Sequence, residues 1–416
     1  MGSNLHNSKV IVNKKIAIFV DTEKSSGGAF HELLFFIKSF EKYCSKHELE
    51  FVIIRSDKKI FDDNFTSKFK ILDFKLNAIQ RYLHFVFNYH HFFRRIRGIF
   101  RFKNKFEQFL QKANIDQVIF TGPSQYALYV EKTPYGIIIP DVALRENVEF
   151  PELSSNPEFV RKDEVLSKAL PRASYIITNS EIIKKRISFF YKILMERILI
   201  VSQQPSDYIR NFNIEKNLVN IQDYRKKKAL PEQYIFYPAM YFPHKNHKLI
   251  IDAIQILSKK NIKLSAVFCG KDKGYKDNLK NYCNEKKISE RIIFLNFVKE
   301  EELPYLYCNS LALVMPSLIG PTNIPPWEAF KLKVPVFYPD FGGIKTILKD
   351  AVHYIDSFDP NILAEGLQKI LSDEKFKGDM IKNGEQLYNS IETSKEFDII
   401  FNRIKHIRNI RLRWIF

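Results

Sequence analysis

Apolar runs of strand length recur along this chain, each followed by a helical pattern, and that alternation narrows the possible folds most. The first series is residues 15–21 (KIAIFVD), 50–55 (EFVIIR), 115–121 (IDQVIFT), 136–140 (GIIIP), 174–178 (SYIIT) and 198–201 (ILIV). A second series follows at residues 234–237, 264–269, 292–295, 311–315 and 336–338. Strands covered on both faces read as continuous apolar runs, and βα alternation builds a mostly parallel sheet. Two series of similar size predict an α/β chain of two doubly wound, Rossmann-like domains facing a cleft. The boundaries expected are residues 1–201, a polar, Lys-rich linker at 202–230, a second domain at 231–390 and a basic amphipathic helix at 391–416.

Composition bounds the partners. Lys and Arg number 65 against 47 Asp and Glu, a formal charge of +18, and Phe is abundant at 37. Such a charge favours polyanions: nucleic acid, anionic lipid or phosphorylated substrates. No zinc-finger spacing or RNP-like run is present, so nucleic acid is not the expected partner. The four cysteines are scattered without CxxC pairs, which argues for a reducing compartment and against a disulfide framework or zinc site. No run reaches the length of a membrane span, and the polar start lacks a signal-peptide pattern. The expectation is a cytoplasmic protein, peripheral on the inner face of the cell membrane.

Residues 311–330 (LALVMPSLIGPTNIPPWEAF) join a short strand, a turn-rich loop and a helix opened by Pro325-Pro326, where a missing N–H has no intrahelical partner to lose. Thr322 or Asn323 is the expected N-cap. Free amides at such a junction make an anion site at the carboxyl edge of the sheet, and Glu328 falls in the first helical turn. By themselves these residues equally suit any strand–helix turn. Gly27-Gly28, after the first strand, lets backbone approach a ligand, although GxGxxG is absent and plain turn chemistry serves as well. Residues 81–112 and the tail from 396 mix Phe, Tyr or Trp with Arg and Lys, the pattern of interfacial helices. The tail's stripe of Phe397, Ile400, Phe401, Ile404, Ile407 and Trp414 would equally suit a helix packed back across a domain.

Residues 236–247 (FYPAMYFPHKNH) end a strand and lead through His244-Lys245 into a helix. Together with residues 320–329 (GPTNIPPWEA), and with AVFCG and PVFYPDFGG between and beyond, they resemble the retaining, GT-B-fold glycosyltransferases of family 4. The match is strong over residues 234–370. The resemblance implies that Lys245 neutralises a nucleotide-sugar's diphosphate, that Glu328 binds ribose hydroxyls and that Asp141 is a candidate for the acceptor hydroxyl. It further implies donor contacts from Gly27, Gly28, His244, Phe297, Val298, Gly320, Pro321, Thr322, Asn323 and Ile324. Two positions depart from the family: Gly320 stands where a first glutamate is usual, and Pro140 where histidine precedes the aspartate. With no Asp-x-Asp triplet, no metal or other cofactor is expected. The implied function is sugar transfer to a saccharide or lipid-linked saccharide acceptor in surface-polysaccharide synthesis (lipopolysaccharide, capsule or O-antigen), with an anionic membrane surface as partner. The alternative is a non-catalytic, membrane-associated scaffold of the same fold.

Overall fold

The computed structural model describes residues 15–21, 28–61, 65–89, 104–295, 298–320 and 323–413. Two parallel sheets form its centre. The first has seven strands: β1 (Lys15–Val20), β2 (Phe51–Arg55), β3 (Lys70–Asp73), β4 (Ile115–Phe120), β5 (Tyr135–Ile138), β6 (Tyr175–Thr178) and β7 (Ile198–Ile200). The second has six: β8 (Tyr234–Pro238), β9 (Ser265–Cys269), β10 (Ile292–Leu295), β11 (Ala312–Val314), β12 (Val336–Pro339) and β13 (His353–Ile355). Their orders are β3-β2-β1-β4-β5-β6-β7 and β10-β9-β8-β11-β12-β13. Every run expected as a strand is one, within a residue or two. The strands not anticipated, β3 and β13, are both edges; β3 has two half-buried residues between exposed ends instead of a longer apolar run.

Each sheet reverses its winding direction once, between β1 and β4 in the first and between β8 and β11 in the second. Ligands of open α/β sheets bind at such switch points, beyond the carboxyl ends of the strands. In the second sheet those ends lead into the Lys245 loop and the Gly320 loop.

Residues 202–230, expected as linker, contain helices Asp207–Arg210 and Leu218–Lys227, and Ile209 and Ile221 are buried. The tail forms helix Thr393–Leu412, and its stripe Phe397, Ile400, Phe401, Ile404 and Ile407 is buried in the core of the first domain. The Phe397 and Phe401 rings meet Phe40 edge-on at 5.3 and 5.8 Å. Gln117 donates to the Ile404 carbonyl at 2.8 Å, and Arg411 pairs with buried Asp116 at 2.9 Å. Of the two expectations for this stripe, packing back across a domain is the one realised; Trp414 lies outside the described residues.

The basic-aromatic stretch 81–112 is described at its two ends. Helix Lys105–Lys112 buries Phe106 and Leu110 under the first sheet, a core role in place of the surface one expected for this end. Helix Ala78–Tyr89 exposes Ile79, Tyr82 and Leu83. Residues 90–103, with His90 and His91, lie outside the described residues. Among the described residues no helix is long and apolar enough to cross a membrane.

Candidate functional site

The carboxyl edges of the two sheets face each other, and side chains bridge them. His31, on helix Gly28–Tyr43 of the first domain, meets Glu300 of the second at 2.8 Å. Glu152 of the first domain accepts from the His244 backbone N–H at 3.2 Å and contacts its Nδ1 at 2.9 Å. Arg186 pairs with Glu146 and donates to the Gly342 carbonyl at 3.4 Å.

Lys245 ends a 3-10 turn, Pro243–Lys245, and Asn246 then turns left-handed (φ 56°) into helix His247–Lys259. The backbone here is pinned to the neighbouring loop. The Lys245 carbonyl accepts from the Tyr237 hydroxyl at 3.0 Å, and Asn246 donates to the Ser357 and Pro316 carbonyls at 2.7 and 3.3 Å. The His244 carbonyl accepts from the Leu318 N–H at 2.8 Å. The half-buried ammonium has Ser317 Oγ at 3.5 Å and, among the described residues, no carboxylate within ion-pair distance. Burial lowers its pKa to about 8, against the opposing charge of Asp141.

The Gly320 loop holds an unusual backbone. Gly320 has φ +88°, a conformation that disfavours any side chain, the glutamate usual in the family included. Its carbonyl accepts from the Tyr338 hydroxyl at 3.1 Å and from the Asn323 amide, which also reaches the Tyr338 hydroxyl at 2.6 Å. Asn323 does occupy the N-cap of helix Ile324–Lys331, but its side chain turns back to these partners instead of capping. Pro325 and Pro326 have no N–H, so the amides this helix start offers an anion are those of Asn323 and Ile324. Pro321 and Thr322 lie outside the described residues.

Glu328 is 8% exposed and accepts a hydrogen bond from the Tyr307 hydroxyl at 2.7 Å. Burial raises its pKa and Glu300 adds to the rise, while the Tyr307 hydroxyl and the charge of His31 oppose it. Burial disfavours charge on His31, yet Glu300, Glu328 and Asp207 outweigh it and its pKa is raised. The His244 pKa is lowered by burial and by Lys245, against the pull of Glu152. Tyr307→Phe is expected to destabilise the fold by up to about 1–3 kcal/mol, because the buried Glu328 oxygen loses its donor. That hydroxyl favours the charged carboxyl, so the loss is largest above the folded pKa of Glu328 and shrinks as pH falls through it. Denaturant unfolding of both proteins at several pH values checks this; a pH-independent difference counts against it.

The structure therefore gathers Lys245, Gly320, Asn323 and Ile324 at the second switch point, with Glu328 just behind. Asp141 is exposed, follows β5, and accepts from the Ala143 N–H at 3.1 Å. Val298 packs half-buried against the second core and Gly28 opens helix Gly28–Tyr43. His244 sits beside Lys245 with its ring on Glu152. Gly27 and Phe297 lie outside the described residues. His31, Glu152, Glu300 and Tyr307 were not anticipated; only His31 carried a signal, its place just after the Gly27-Gly28 turn. Among the described residues no three His, Cys, Asp or Glu side chains converge as a metal site would require.

Comparison with known proteins places this geometry. Residues 220–387 match the family Glycosyl transferases group 1. An O-antigen chain mannosyltransferase of Salmonella typhimurium, RfbU, is 26% identical over 227 residues, which are 55% of this chain and 55% of that protein. The chain spans just over half the length of the curated relatives it matches. Among solved structures, a glycosyltransferase of Rickettsia africae superposes with a TM-score of 0.68 at 14% identity, covering 94% of this chain and 99% of that one. HepE of Anabaena, solved with UDP-glucose, gives 0.67 at 14% identity, with 94% and 99% covered. The chain has the GT-B fold, and its second domain carries the match to Glycosyl transferases group 1.

Proposed function

We propose that this protein is a glycosyltransferase that moves a sugar from a nucleoside diphosphate-sugar to a saccharide acceptor in the synthesis of a cell-surface polysaccharide. The observation that carries the proposal is the Lys245 ammonium, without a carboxylate partner among the described residues, beside the loop amides at the switch point of the second sheet. As the bond from the anomeric carbon to the diphosphate breaks, its electron pair stays on the leaving oxygen. A fixed cation and aligned N–H dipoles stabilise that growing charge. Glu328, braced by Tyr307, is suited to accept from ribose hydroxyls. No metal ion is required in this scheme, and retention of anomeric configuration is what the family resemblance implies. An O-antigen mannosyltransferase among the relatives and UDP-glucose in a structural neighbour support the substrate class. Exposed Ile79, Tyr82 and Leu83 beside Arg81 support a lipid-linked acceptor met at the anionic inner face of the membrane.

A thermal-shift screen of UDP, GDP and dTDP with their sugars, in excess chelator, tests the proposal. One nucleotide series should raise the melting temperature, since a ligand that binds only the folded state stabilises it. That donor should then support transfer to an acceptor presented in anionic vesicles, again with chelator. Protection by no nucleotide would sink the proposal and favour the scaffold role that Gly320 and Pro140 also fit.

A further inference from the structure

Glu152 belongs to the short first-domain helix Pro151–Ser154, yet its carboxyl is engaged by the second domain. Its Oε1 accepts from the His244 backbone N–H at 3.2 Å and lies 2.9 Å from the ring Nδ1. Phe150, two residues earlier, meets the same ring edge-on at 6.3 Å, and Phe242 stacks on it at 5.2 Å. The pair is nearly shut off from water, the His244 and Glu152 side chains being 10% and 17% exposed. Burial works to raise the Glu152 pKa, but its own backbone N–H and the His244 groups outweigh it and hold the carboxyl below its ordinary range.

The turn Pro243–Lys245 depends on this contact. The Lys245 and Asn246 amides close it on the Phe242 and Pro243 carbonyls, at 3.1 and 2.9 Å. Pro243 has no N–H, and the His244 N–H comes too early for a partner within the turn. Glu152 supplies that partner. On its other side the His244 carbonyl accepts from the Leu318 N–H at 2.8 Å, in the loop that leads to Gly320. Hydrogen bonds thus run from the first domain through His244 to the Lys245 turn and to the Gly320 loop. A carboxylate held on the residue before Lys245 repels a diphosphate by charge alone. Its place there is explained by the turn it holds. Resting on the function proposed above, we infer that Glu152 is a positioning residue: acting through His244, it sets the Lys245 turn and the Gly320 loop for the diphosphate, so the site is complete only with the first domain engaged.

Calorimetric titration of wild type, Glu152→Ala, Glu152→Gln and Glu152→Asp with UDP, GDP and dTDP tests the inference. For the nucleotide that the wild type binds, Glu152→Ala should weaken Kd about tenfold, the scale of one lost hydrogen bond, although it removes a negative charge. Glu152→Gln keeps an oxygen at the same reach and should bind within about threefold of wild type. Glu152→Asp keeps the charge, loses the reach and should bind at least as weakly as Glu152→Ala. The titration reads Kd from folded molecules and their fraction as stoichiometry, so a variant that is only less stable keeps the wild-type Kd. An unchanged or tighter Kd in Glu152→Ala, or Glu152→Gln as weak as Glu152→Ala, would overturn the inference while leaving the enzyme class intact. Should Glu152→Ala fail to fold, equal affinities of Glu152→Gln and Glu152→Asp would overturn it in the same way. A wild type that binds no nucleoside diphosphate would overturn the enzyme class and this inference with it.

Discussion

Lys245→Ala is expected to lower sugar transfer about 100- to 1,000-fold, the scale on which one fixed group that stabilises transition-state charge matters. The fold should not suffer. Among the described residues the half-buried ammonium has Ser317 Oγ beside it and no ion pair, so removing it relieves desolvation and breaks none of their salt bridges. Its folded pKa of about 8 lies below the ordinary 10.5, so between those values the unfolded chain binds more protons. Wild-type stability should therefore rise with pH across that window, and Lys245→Ala should flatten the rise. In the free protein, diphosphate affinity should decline as pH climbs past about 8 in the wild type only. Transfer assays, with unfolding and binding measured from pH 7 to 9, check all three. Unchanged transfer in a well-folded variant would exclude Lys245 from the chemistry.

Phe401→Ala is expected to destabilise the protein by about 3–5 kcal/mol, as deletion of a fully buried ring leaves a cavity that its neighbours fill only in part. Phe401 is fully buried and meets Phe40, Phe51 and His47 at ring distances of 5.8, 6.0 and 4.5 Å. The loss belongs to the first domain, although residue 401 follows the second. Denaturant unfolding should show an earlier transition for the first domain, with nucleotide binding by the second less affected. A loss below about 1 kcal/mol would mean that the helix contributes little to that core.

Both residues illustrate what the sequence could disclose. Lys245 and Glu328 lie in contiguous motifs next to strands, so local order placed them at one sheet edge. β1, buried on both faces, was plain as KIAIFV, whereas β3 (KILD), an edge strand with half-exposed positions, left no apolar run. The spacing of Phe397, Ile400, Phe401 and Ile404 disclosed a stripe but not what would cover it, since a stripe fits a sheet and a bilayer alike. Asn323 was read as a cap; in the fold the positions a cap would accept from are Pro325 and Pro326, which have no N–H, and its amide donates to the Gly320 carbonyl and the Tyr338 hydroxyl. Tyr307, Glu152 and Glu300 were invisible because their partners lie elsewhere in the sequence: Glu328 meets Tyr307 through the packing of the second domain, and His244 and His31 meet Glu152 and Glu300 through the way the domains face each other. Residues 202–230 looked like a linker for want of apolar runs, yet Ile209 and Ile221 suffice to anchor two helices.

The return of helix Thr393–Leu412 to the first sheet has a consequence for biosynthesis. Ribosomes release residues in order, at about 5–20 per second. The amino-terminal half of the polypeptide thus waits tens of seconds with the surface around Phe36, Phe40 and Phe51 uncovered, until the last turns emerge. A nascent chain stalled before residue 393 would hold that sticky patch open, a natural target for chaperones.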